Sequence, residues 1–154
     1  MQIVIVSDHS DQVGFLQGLA IDAGIDSIEG FTHPAAALDW CADHEPDLVL
    51  VDYMMRACDG LEFLRRFRAL PHLAEVPIVL MLAPGLGSIR AAAWQAGVTD
   101  FLDTPVDATE FAARSRNLLL LRAVTRAAAD QPIQADLSLT QASDWRQPPA
   151  GHWH

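Results

Sequence analysis

Residues 47–60 read DLVLVDYMMRACDG. Leu48, Val49, Leu50 and Val51 form an unbroken apolar run behind Pro46, the pattern of a strand buried on both faces in the middle of a parallel sheet. The run ends on Asp52, at the strand's C-terminal end, the edge where open α/β sheets place their ligands. Asp59-Gly60 then supplies a turn and a helix N-cap ahead of Leu61-Glu62-Phe63-Leu64. A carboxylate presented at that edge is the chain's leading candidate for chemistry, and the remaining segments read as its support.

Upstream, Met1–Val6 is a first strand feeding the polar loop Ser7-Asp8-His9-Ser10. Val13, Leu16, Ala20 and Ala23 recur at helical spacing up to Gly24. Residues 25–31 form a short second strand, and Pro34 opens a helix through Leu38, Trp40 and Cys41 with Thr32 as its cap. Downstream, residues 61–70 form a helix that turns Leu64 and Phe67 inward and Arg65, Arg66 and Arg68 to water, and Pro71 ends it. Pro77 opens the apolar strand Ile78–Leu82. Gly85–Gly87 is a loop, residues 88–96 are a helix closed by Gly97, and residues 99–103 are a fifth strand stopped by Pro105. Residues 107–128 read as a long last helix, with Asp107 as cap and Phe111, Ser115 and Leu118 inside. Strands and helices in strict alternation predict an α/β fold, a doubly wound five-stranded parallel sheet with five helices and right-handed crossovers. The domain so defined covers residues 1–128. Residues 129–154, rich in Gln, Ser, Asp and Pro, read as a disordered tail.

The chain has 154 residues and a net charge of −10, from 20 acidic against 10 basic side chains. All the bases are arginine; there is no lysine. With no basic cluster, direct nucleic-acid binding is not expected, because phosphate contacts need a positive face. No apolar run reaches membrane-spanning length and the N-terminus is a strand rather than a signal peptide, so a cytoplasmic, membrane-free protein is expected. Cys41 and Cys58 have no metal-ligand spacing and read as reduced thiols.

Over residues 1–125 this pattern resembles the receiver domain of bacterial two-component response regulators, a flavodoxin-like fold. DYMMRACDGLEFLRRFR is similar to the family's segment around its phosphoacceptor aspartate. PIVLMLA (77–83) resembles its fourth strand, and AGVTDFL (96–102) its approach to the fifth. The helix segments LRR and RNLLLLR further resemble receivers that precede HD-GYP or GGDEF cyclic-di-GMP domains. The resemblance implies that Asp52 takes a phosphoryl group from a histidine kinase or phosphotransfer protein. It also implies that Asp8, Asp52 and the backbone carbonyl of Met54 hold Mg²⁺, and that Pro105 is a candidate cis-proline. A cation is needed there because a carboxylate attacking a phosphoryl group approaches an anion.

Four positions depart from the family pattern, and a fifth, Phe101, belongs to the same switch. Ser7 stands where a second acidic metal ligand is usual, which predicts weak Mg²⁺ binding. Thr104 replaces the lysine that pairs with the phosphoryl group. Leu82 replaces the Ser or Thr whose hydroxyl follows it, Arg56 replaces a proline after the acceptor, and Phe101 sits at the position of an aromatic residue that commonly rotates with that hydroxyl. Arg56 or Arg90 is the substitute cation the chain offers, although arginine's planar fork does not take over a lysine's position automatically.

Other features have plainer readings. Asp59 is a cap rather than a ligand. Gly85-Leu86-Gly87-Ser88 lacks the third glycine of a dinucleotide fingerprint and the lysine of a P-loop. His9, His33, His44 and His72 are scattered surface residues, and His152 with His154 makes no metal site. Of Leu118–Leu121 and Val124, half are expected to complete the core and the others to be partly exposed, available to a partner.

The function expected is that of an atypical receiver. It docks to signalling partners through the face made by the fourth helix, fifth strand and last helix, or as a homodimer, with an impaired phosphorylation switch and no catalytic residues. It acts as a stand-alone module or as part of a longer regulator. A conventional phospho-accepting receiver is the alternative. A phosphatase of similar topology is disfavoured because Met54 stands where a second acid is required and lysine is absent.

Overall fold

The computed structural model describes residues 1–131; most of the tail expected at 129–154 lies outside them. Five strands alternate with five α-helices: β1 (Gln2–Val6), α1 (Ser10–Asp22), β2 (Ser27–Phe31), α2 (Pro34–Asp43), β3 (Leu48–Asp52), α3 (Gly60–Arg68), β4 (Ile78–Leu82), α4 (Ile89–Ala96), β5 (Asp100–Asp103) and α5 (Ala108–Ala129). A short 3₁₀ turn, Pro71–Leu73, follows α3. The sheet is wholly parallel, in the order β2-β1-β3-β4-β5. The doubly wound sheet read from the sequence is the fold observed.

The apolar runs work because each strand buries both faces. Val4, Val6, Val49, Val51, Ile78 and Leu80 pack under α2, α3 and α4 with Phe63, Leu64, Phe67 and Ala93. Ile3, Ile5, Leu48, Leu50, Val79 and Met81 pack on the other side against Val13, Leu16 and Ala20 of α1 and Phe111 and Leu119 of α5. Chain order reverses between β1 and β3, since β1 leads to β2 on one side and β3 to β4 on the other. The crevice at the C-terminal ends of these two strands is the switch point that favours ligands in such sheets, and Asp8 and Asp52 stand there.

Local details correct three expectations. The N-cap of α2 is His33, with no side-chain cap bond; Thr32 instead turns its hydroxyl to His33 Nδ1, 3.2 Å away. Arg68 does not simply face water. It is half-buried and donates to the carbonyls of Leu73, Val76 and Gly97 at 2.7–2.9 Å. In α5 the inner face is Phe111, Ser115, Leu119 and Arg122, with Leu118 only half-buried. The caps at Asp59 and Asp107 form as read, accepting from the amides of Glu62 and Glu110 at 2.8 Å.

Candidate functional site

Asp52 is the last residue of β3, held by ladder pairing to β4 opposite Met81. Its environment is built by the neighbouring turn. Gly60, the first residue of α3, lies so close that a Cβ there would stand 2.7 Å from the Asp52 carbonyl oxygen, 2.8 Å from Tyr53 Cα and 2.5 Å from Leu80 Cδ1. The Gly60 amide donates to the Tyr53 carbonyl at 2.9 Å. The Asp-Gly pair therefore does two jobs: Asp59 caps α3, and Gly60 lets the helix start against the backbone that carries Asp52.

Ser7 and Asp8 follow β1, adjacent to β3. Ser7 is fully buried. Its hydroxyl donates to Asp52 Oδ2 at 3.2 Å and accepts from the His9 amide at 3.3 Å. The Met54 amide approaches Asp52 Oδ1 at 3.4 Å. Burial pushes the Asp52 carboxyl above its ordinary pKa. The Ser7 and Met54 hydrogen bonds and nearby His9 oppose that shift, and the Asp8 charge adds to it. The two carboxylates thus share one electrostatic site. Asp8 Oδ2 accepts from the Arg56 amide at 2.8 Å. Its Oδ1 is buried and accepts no hydrogen bond, with His9 Nδ1 2.9 Å away.

A buried carboxylate oxygen without a donor, beside a second carboxylate, suits a hard cation. Among the described residues no cluster of three or more His, Cys, Asp or Glu side chains could hold a metal. Two carboxylates are enough for Mg²⁺, which keeps several of its waters. The two carboxylates therefore suit such an ion, with one anionic ligand fewer than if Ser7 were acidic.

The other departing positions are now placed. Leu82, the last residue of β4, is 1% exposed and packs in the core. Thr104 does not reach out as a lysine would. Its amide donates to the Leu82 carbonyl at 2.8 Å and its hydroxyl approaches the same oxygen at 3.4 Å. The Thr104-Pro105 peptide is cis. Phe101 is buried, with Trp94 edge-on at 5.0 Å and the Arg90 guanidinium 4.7 Å from its ring centre. Arg90 also pairs with Asp103 at 2.9 Å. Of the two arginines read as substitute cations, Arg90 is thus committed elsewhere. Arg56 is exposed, and its side chain makes no ion pair among the described residues.

The closeness of two histidines was not legible in the sequence. His9 and His33 line a cleft of about 420 Å³ with Asp8, Thr32 and Arg56. The signal was available only through topology: β1 and β2 pair in parallel up to Val6↔Phe31, so residues just after each strand reach the same edge. His44 stacks on Trp40 at 3.9 Å, and His72 Nε2 bonds the Cys41 carbonyl at 2.8 Å. All four are exposed, as read, and what the sequence did not show is their local contacts.

Comparison with known proteins agrees with this geometry. The model of the response regulator receiver domain family matches residues 3–116. The cyclic di-GMP phosphodiesterase response regulator RpfG of Xanthomonas campestris pv. campestris is 42% identical over 123 residues, 79% of this chain and 32% of that protein. The response regulator Rre1 of Synechocystis sp. is 30% identical over 119 residues, 77% of this chain and 52% of that protein. The chain thus spans about a third to a half of the length of these relatives. Among solved structures, the receiver domain of the sensor histidine kinase PA1611 of Pseudomonas aeruginosa superposes with a TM-score of 0.69. It has 22% identity and covers 77% of this chain and 96% of that one. That crystal structure has a magnesium ion coordinated in its active-site cleft.

Proposed function

Because this chain belongs to the response regulator receiver domain family of two-component signalling, we propose that it is an atypical receiver, working mainly by docking to partner proteins and only weakly switched by phosphorylation. What supports this reading is the set of groups around Asp52. A receiver reports its phosphoryl group through contacts that differ between the two states, and without differential contacts a modification shifts no equilibrium. Here the hydroxyl position is the buried hydrocarbon of Leu82, and the lysine position is a threonine turned to the Leu82 carbonyl. Phe101 is already packed inside, between Arg90 and Trp94. A phosphoryl group on Asp52 would meet Ser7, backbone amides and Arg56, and little else.

Asp8, Asp52 and the Met54 carbonyl are the residues to hold Mg²⁺, weakly. When bound, the ion supplies positive charge opposite an incoming phosphoryl group. The partner is a histidine kinase, a phosphotransfer protein or a downstream signalling protein. The docking face is α4–β5–α5, where Trp94 is half exposed beside the Arg90–Asp103 pair. The chain itself is proposed to carry no catalytic residues; its domain is residues 1–128, with 129–154 a tail. Identity to RpfG supports a place in signalling tied to cyclic di-GMP turnover. Among the described residues no helix is long and apolar enough to cross a membrane.

The test is incubation with acetyl phosphate and Mg²⁺, read by intact mass and by tryptophan fluorescence, since Trp94 sits against Phe101. Only a minor fraction should gain the mass of a phosphoryl group, with no change at Trp94. Stoichiometric, Mg²⁺-dependent modification that changes the fluorescence and is lost in Asp52→Asn establishes the conventional receiver instead. Arg56, whose amide bonds Asp8 and whose side chain makes no ion pair among the described residues, is the observation that favours that second reading.

A further inference from the structure

The turn between α1 and β2 and the middle of α5 enclose a cleft of about 380 Å³, within the roughly 300–1,000 Å³ of small-molecule sites. On α5, Ala112, Ser115, Leu119 and Ala123 line it; spacings of three and four put them on one stripe of the helix. The small side chains at 112, 115 and 123 leave the space, and Leu119 with Ile25 of the turn supplies apolar walls. Gly24 keeps the turn open: its φ is +83°, and a Cβ there would meet nothing within 4 Å. Apart from Ser115, Arg116 and Asp26, no lining side chain is polar.

Two of those three groups are uncommitted. Ser115 is 2% exposed, and its hydroxyl has no hydrogen-bond partner among the described residues. A helix serine ordinarily turns its hydroxyl to solvent or to the carbonyl one turn back, and buried polar groups are rarely left unpaired. Arg116 is exposed and makes no ion pair among the described residues. Asp26, by contrast, already faces the Met1 ammonium at 3.9 Å. The uncommitted charge of the cleft is therefore positive, its uncommitted polar group is a hydroxyl, and the rest is apolar.

We propose that this cleft binds a small amphipathic carboxylate. The apolar body lies between Leu119 and Ile25, the negative charge sits at Arg116, and one oxygen accepts from the Ser115 hydroxyl, which has no bond to give up in turning to it. Such a ligand touches α5 and the α1–β2 turn together, so its binding stabilises the folded chain by mass action. No lining residue comes from β3, β4, α4 or β5. The site thus shares only α5 with the docking face proposed above, and it does not depend on modification of Asp52.

The experiment uses the full chain and two aromatic anions, anilinonaphthalene sulfonate as a fluorescent probe and naphthoate as its competitor. The dye should bind once per chain, and naphthoate should displace it and raise the melting temperature. Naphthylmethanol, the uncharged analogue, should bind about fivefold more weakly, the scale of an ion pair at an exposed rim. Ser115→Ala should weaken naphthoate about threefold without lowering the melting temperature of the free chain, because the hydroxyl it removes has no partner. Ala123→Leu fills the cleft with a good helix former and should abolish binding; Ser115→Ala keeps the test decisive if that variant misfolds. Leu121→Ser, at an exposed position outside the cleft, should bind as the wild type does. The proposal is overturned by the absence of saturable binding, by equal affinity for naphthoate and naphthylmethanol, or by binding that survives Ala123→Leu in a folded chain. Loss of binding in Leu121→Ser overturns it too, as does a free chain destabilised by Ser115→Ala, since the hydroxyl is then partnered within the fold.

Discussion

Asp52 keeps its position at a cost that can be measured. Its pKa is raised, chiefly by burial, so in the folded state it holds a proton to higher pH than in the unfolded chain. Between the two pKa values the folded form binds more protons, and stability therefore falls as pH rises from the ordinary carboxylate range, near 3.9, through the folded value. Above that value the penalty is constant. Asp52→Asn should accordingly melt at higher temperature than the wild type at pH 7 in EDTA, and the difference should close as pH drops below the ordinary range. Thermal melts from pH 3 to 8 check it, and a variant that is less stable at pH 7 removes the argument. Gly60 is the complementary case, because the space it leaves is what lets α3 reach Asp52. Gly60→Ala forces a methyl against backbone 2.7 Å away, and overpacking of this kind costs about 1–3 kcal/mol. Urea unfolding should show that loss even though alanine is the better helix former.

At the scale of elements, the readable parts were those with local causes. Continuous apolar runs gave the central strands, and Asp59 and Asp107 announced their helices because a cap and its amide lie three residues apart. Arg68 could not be read this way. In sequence it is one of three arginines on a helix, but its partners lie on the turn after α3, at Gly97 and at Thr99, up to 31 residues away. The guanidinium fork thus joins α3, the Leu73–Val76 turn and the loop between α4 and β5. The Gly97 backbone it meets is left-handed, with φ of +94°, a conformation that glycine takes without strain. His9 and His33 escaped for the same reason: only the pairing of β1 with β2 makes them neighbours. Arg68→Ala leaves three carbonyls without this donor and should cost about 2–4 kcal/mol, given roughly 1–3 kcal/mol for orphaned partners of a charged group. Arg68→Lys should recover less than half, since one ammonium cannot reproduce the fork. Denaturant midpoints of the three proteins decide the point.

Across the whole molecule, the proposed function treats scaffold and switch as separable. On the reading proposed, the sheet, the Asp8–Asp52 edge and the Gly60 approach are a working scaffold, and Ser7, Leu82 and Thr104 are the replaced positions that weaken the switch. If those replacements are the cause of a weak switch, restoring them on the same frame should restore it. Ser7→Asp adds a second anionic metal ligand, and Mg²⁺ affinity should rise by about ten- to a hundredfold, the scale on which single partners act at metal sites. Thr104→Lys supplies a mobile cation, and Leu82→Thr supplies a hydroxyl beside Asp52 at the expense of packing, for which about 2 kcal/mol is reasonable. The triple variant should be less stable than the wild type yet be modified by acetyl phosphate faster and to completion. Its Trp94 fluorescence should then respond, because a threonine at 82 can follow the phosphoryl group and release Phe101. Single variants separate the parts: Ser7→Asp alone should improve Mg²⁺ binding without a fluorescence response, and Leu82→Thr alone should give neither. If the triple variant binds Mg²⁺ tightly and is fully modified but Trp94 stays silent, the Arg90–Phe101–Trp94 packing rather than the missing groups holds the switch shut. Arg90→Ala in the triple background should then release it.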